Sequence, residues 1–82
     1  TPEFTETTIP KGLLNRHNTK AGVWARIVIL EGSLHYYIEP PAQQFFALTP
    51  QNSGVVMAQQ PHHIEAVGPV RFYVEFYRAA QQ

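Results

Sequence analysis

Two runs constrain this chain most: residues 23–30, VWARIVIL, and residues 70–77, VRFYVEFY. Both are rich in β-branched or aromatic side chains, which fit a pleated, half-buried surface. Their length and the Gly residues at 22, 32 and 68 that flank them favour strands over helices. Shorter runs of the same kind follow at residues 34–38 (LHYYI), 43–48 (QQFFAL), 55–58 (VVMA) and 62–67 (HHIEAV). Residues 2–10, PEFTETTIP, alternate weakly and suit an edge strand. Gly, Pro, Asn and Gln separate the runs, and no segment repeats apolar residues at i, i+3, i+4 and i+7 over two turns. Six or seven closely spaced strands without a helix longer than one turn predict an all-β barrel or sandwich. At 82 residues the expectation is one domain over 1–82 with one core.

The punctuation predicts where the chain reverses. Glu31-Gly32 reads as a tight turn, with Gly supplying the positive φ, so residues 34–38 should return antiparallel to 23–30. Pro40-Pro41 should stop that second strand, because proline cannot donate to a ladder. TPQNSG at 49–54 suits a type I turn, and Gly68-Pro69 should turn the chain into its last strand.

Charge and composition exclude several functions. Six basic residues balance six acidic ones, and no basic run of five exists. Nucleic-acid binding by phosphate neutralisation is therefore not expected. The absence of cysteine excludes a disulfide framework, a thiolate zinc site and a cysteine nucleophile. No apolar run approaches the roughly 18 residues that would mark a membrane span. No signal-peptide pattern opens the sequence, and a cytoplasmic location is expected. The two serines, Ser33 and Ser53, lie in turns outside any G-x-S-x-G context, and the scattered glycines form no phosphate loop.

The histidines are the remaining chemical signal. Neutral imidazole is the commonest metal ligand, and two or three converging inside a barrel would hold zinc, iron, nickel or manganese. Alternation places His62 with Ile64 and Ala66, toward the interior, and His63 with Glu65, toward solvent. Leu34, Tyr36 and Ile38 share one face of their strand, which puts His35 and Tyr37 outside. His17 sits in RHNTKAG, where local periodicity gives no direction. Glu75 shares a face with Arg71, Tyr73 and Tyr77, opposite Phe72, Val74 and Phe76. A phenylalanine core puts Glu75 outside, whereas a pocket lined by the tyrosines would make it a ligand. Trp24 and Arg26 alternate together, as either a stacking surface or a packed rim.

HNTKAGVWARIVILEGSLHYY (17–37), the strand at 54–56 and PHHIEAVGPVRFYVEFYR (61–78) resemble the small cupin-like proteins of the TehB/YeaR-like family. This family includes domains found ahead of the methyltransferase in some tellurite-resistance proteins. The resemblance covers about residues 9–78 and implies a single-domain, cupin-like jelly-roll β-barrel of six to eight strands. It aligns His17 with the histidine at the entry to the first metal motif and His62 with that of the second. The wider cupin pattern has an H-x-H pair and a glutamate in the first motif. Here the glutamate's place falls at Ala25 and the second histidine of the pair is missing. A two-histidine site, completed by water or Glu75, is what remains.

The leading reading is thus a module binding a divalent metal or a small molecule, cytoplasmic and homodimeric, connected with tellurite resistance or a related stress response. His17, His62 and Glu75 are its candidate metal ligands; Trp24, Arg26 and Tyr36 would shape the pocket. A metal-dependent dioxygenase or isomerase acting on a small polar metabolite is the second reading. A metal-free interaction module is the third. The methyltransferase chemistry of the tellurite proteins needs an adenosylmethionine-binding α/β domain, which these 82 residues do not contain.

Overall fold

In the computed structural model, which describes residues 1–78, two long strands form the frame. β1 covers Phe4–Thr5, the single-turn helix α1 covers Lys11–Leu14, and β2 runs unbroken through Val23–Ile38. β3 (Gln44–Leu48), β4 (Gly54–Val56) and β5 (His62–Arg78) complete the order. All pairings are antiparallel: β1-β5-β2-β3 in sequence across the sheet, with β4 also on β2. Five strands are present among the described residues rather than six to eight. No ladder there joins β3 back to β1, so the hydrogen-bonded sheet is open where a closed jelly-roll barrel was expected. No described helix is long and apolar enough to cross a membrane.

The expected hairpin at Glu31-Gly32 does not form. β2 passes straight through it, and β5 passes through Gly68-Pro69 in the same way. Both points are irregularities in one long β2–β5 ribbon. Ile29 faces Phe72 and Glu31 faces Arg71, so Leu30 is an extra residue on β2. Gly32 faces Val70 while Leu34 faces Ala66, so β5 carries the excess across residues 67–69. Bulges of this kind bend a strand and increase its twist. At Gly32 (φ 80°) the two backbones approach so closely that a Cβ there would lie 2.1 Å from the carbonyl oxygen of Pro69. The predicted stop at Pro40-Pro41 does occur: β2 ends at Ile38.

The bulge also decides which residues face inward. Before it the buried positions of β2 are Ala25, Ile27 and Ile29; after it they are Leu34, Tyr36 and Ile38. One inserted residue switches odd to even. On β5 the buried positions, His62, Ile64, Val70, Phe72 and Val74, are all even, with half-buried Ala66 and exposed Gly68 between them. These residues, with Leu48 and Val56, make one core. Phe76 continues the inward alternation but is 55% exposed, so the expected phenylalanine face closes only as far as Val74.

The two halves of the ribbon are tied across the core. The Tyr36 hydroxyl, from the second half of β2, donates to the Val55 carbonyl at 3.1 Å, on the strand that pairs with the first half. Burial pushes the Tyr36 phenol up to about 12. It stays protonated as a structural donor and has no use as an acid or base near neutrality. Tyr36→Phe should lower unfolding stability by about 1 kcal/mol, the ordinary net worth of one such hydrogen bond. Urea denaturation checks it; no change would mean that the hydroxyl does not tie the halves.

Candidate functional site

His62 owes its position to strand alternation and His17 to a single backbone bridge. The His17 N–H donates to the His62 carbonyl at 2.8 Å, and the His62 N–H donates to the His17 carbonyl at 2.7 Å. Directly opposed residues on adjacent antiparallel strands present their side chains on the same face. The two imidazoles consequently lie beside each other, centroids 5.5 Å apart and nearly perpendicular at 81°. His62 is 4% exposed and His17 is half-buried.

Hydrogen bonding assigns the His62 nitrogens. Nδ1 lies 2.8 Å from the Gln60 carbonyl oxygen, which can only accept. Nδ1 therefore carries the proton, and Nε2 is left with the lone pair. Thr19, also buried, fastens the approach to His17. Its hydroxyl donates to the Val23 carbonyl at 2.8 Å and accepts the Gln59 N–H at 3.3 Å. The pair lines a cavity of about 20 Å³ whose other walls are largely apolar, among them Ala25, Ile27, Ile64 and Val74. His17 also lines an outer cleft with Arg16, Asn18 and Pro61, so it stands between solvent and the cavity.

Burial pushes the His62 imidazole below its ordinary value; the neighbouring His17 and His63 add to this, while the Gln60 carbonyl and Glu39 oppose it. The folded state thus binds this proton less readily than the unfolded chain. The stability contributed by a neutral His62 is complete above the unfolded value of about 6.5. It is lost as pH falls from there through the lower folded value. Urea midpoints should decline on acidification below neutrality, and a His62→Phe variant should flatten that part of the profile. Equal slopes in the two proteins would refute the assignment.

The other candidates do not join the pair. Glu75 lies on the opposite face of β5, where its carboxylate is 3.8 Å from the Arg26 guanidinium and accepts the Tyr77 hydroxyl at 3.1 Å. Trp24 stacks on Tyr77 there, centroids 4.4 Å apart. Trp24, Arg26 and Glu75 thus form one outer patch, while Tyr36 lies in the core beside His62, at 5.8 Å between centroids. The expected pocket of Trp24, Arg26 and Tyr36 is not assembled, because the Leu30 insertion puts Tyr36 on the other face. His63 pairs with Glu39 and stacks on Tyr37, outside, as alternation predicts. His35 is half-buried on that outer face beside Phe45 and Tyr37.

Thr19 and the Gln60 carbonyl escaped the sequence reading. A polar residue in a turn-prone stretch and a backbone oxygen carry no local signal. Among the described residues no group of three His, Cys, Asp or Glu side chains converges. A metal ion would find two imidazole nitrogens and no carboxylate. That donor set suits a borderline divalent ion such as zinc, nickel or copper better than calcium or magnesium, which favour oxygen.

By fold this is a small antiparallel β-domain with two imidazoles paired at the rim of its core. It belongs to the family of TehB-like domains, whose model matches residues 1–74. The crystal structure of TehB from Haemophilus influenzae superposes with a TM-score of 0.87 at 26% identity, over 96% of this chain. The chain spans 29% of the length of that protein. A structural-genomics structure of an E. coli (strain K12) protein matches 99% of this chain and 87% of its own, with a TM-score of 0.86 and 27% identity. No curated protein matches the sequence.

Proposed function

We propose that this domain is a binding module, a cupin-like variant with an open sheet, that takes a borderline divalent metal ion on His17 and His62 within a tellurite-resistance or related stress response. The observation that carries the proposal is the cross-strand pair itself: two imidazoles 5.5 Å apart, one with its Nδ1 proton committed to a backbone carbonyl. Fixing one ring nitrogen in this way orients the other as a ligand. A bound ion would supply Lewis acidity and exchangeable positions. The chain's part is to hold the His62 ring neutral and to keep the cavity wall apolar. Binding is favoured over catalysis because Tyr36 is locked as a donor and the His63–Glu39 pair lies on the outer face. The connection to stress rests on family membership.

Equilibrium dialysis of the purified chain against zinc, nickel, copper(II) or iron(II), followed by elemental analysis, tests the proposal. Stoichiometric uptake of at least one of these ions is expected. No retention of any of them would reject the reading.

A further inference from the structure

A second concavity lies apart from the imidazole cavity. The end of β2, β3, β4 and the loops on either side of β4 line an open pocket of about 370 Å³, within the size range of small-molecule sites. Its lining carries no charged side chain. Two other open clefts differ: one holds Arg16, another Glu39 with His63. The charge-free pocket nevertheless has hydrogen-bonding groups, the side-chain amides of Gln44, Asn52 and Gln60. The Asn52 amide nitrogen gives one of its two N–H groups to the Ala47 carbonyl at 3.1 Å, and its oxygen is an acceptor.

The apolar part has a shape. Tyr36 and Phe46 are cross-strand partners whose rings lie 27° from parallel with centroids 5.9 Å apart. Phe46 is 41% exposed, and Met57, on the loop across the pocket, is 58% exposed. Large apolar side chains are thus left open around a concave mouth, where singly scattered ones would be unremarkable.

We infer that this pocket binds an uncharged, flat small molecule with an amide-type edge, such as a nitrogen heterocycle, against Phe46 and the Gln44 and Gln60 amides. An unpaired charge would lose its hydration on entry with nothing to replace it. A neutral edge offering a donor and an acceptor side by side matches primary amides, which present the same two groups. Gln60 and Tyr36 touch His62, but the pocket shares no lining residue with the imidazole cavity and does not include His17, so either proposal can fail without the other.

Nicotinamide and nicotinate test the charge rule, because they differ little in shape. Nicotinamide titrated into the isotope-labelled chain should produce saturable NMR shifts of the Gln44 and Gln60 side-chain amides and the Met57 methyl. Nicotinate should bind at least about tenfold more weakly. Phe46→Ala, at a half-open position, should weaken nicotinamide about fivefold to tenfold, and His17→Ala should leave it unchanged. The inference is overturned by an absence of saturable shifts at millimolar nicotinamide, by equal binding of nicotinate, or by shifts that map elsewhere.

Discussion

Gly32→Ala should lower stability by at least about 3 kcal/mol, whereas Gly22→Ala should cost about 1 kcal/mol. Both glycines have nearly the same left-handed φ, 80° and 77°. The backbone penalty for adding a Cβ is therefore shared. What differs is the space around it. A Cβ at Gly22 meets nothing within 4 Å, but at Gly32 it falls 2.1 Å from the Pro69 carbonyl oxygen and 3.1 Å from the Val70 Cα. Both obstacles are backbone atoms and cannot rotate aside. β2 and β5 must separate at the bulge, and the bend there is what brings the two buried triplets of β2 into one core. Parallel urea titrations of the two variants read the difference. Equal losses would mean that Gly32 serves only its own dihedral angle and not the approach of two strands.

That bulge also explains what the sequence could and could not show. A glycine with positive φ serves a tight turn and a bulge equally well, so Glu31-Gly32 carries no local mark separating them. The distinguishing fact is the Pro69 carbonyl on the partner strand, which lies far along the chain. Alternation assigns the inward residues correctly in two runs, Leu34, Tyr36 and Ile38, then His62 and Ile64, whereas on the first it leaves open which face is inward, and the structure buries Ala25, Ile27 and Ile29. Between runs it failed, because the extra Leu30 changes the parity and sets Trp24 and Tyr36 on opposite faces. The inward direction of His62 was legible from its apolar neighbours. His17 was not, since one bridge of two backbone hydrogen bonds places it. Thr19 looked like a loop residue and is buried because it joins two connecting segments.

Replacing either histidine should cost more than the roughly 10–100-fold in metal affinity that loss of an outer partner costs, because each supplies a donor directly. His17→Ala is the cleaner variant, since the ring is half-buried and the bridge that holds it is backbone. His62 is in the core, and His62→Phe keeps ring volume there while removing the nitrogens. The double variant should bind scarcely more weakly than either single one. Two rings that chelate one ion act as a unit, so removing the second breaks nothing that the first had not already broken. The same linkage reaches stability: at a metal concentration about 100 times the dissociation constant, binding to the folded state alone adds about 2.7 kcal/mol. A metal-dependent rise in melting temperature should therefore appear in the unaltered chain and vanish in all three variants. Acid should abolish it as well, because protons compete for the Nε2 lone pair of His62. Its depressed proton affinity keeps that competition at bay near neutrality. Retention of the rise in the double variant would move the metal away from this pair, with the outer His63–Glu39 contact as the next place to look.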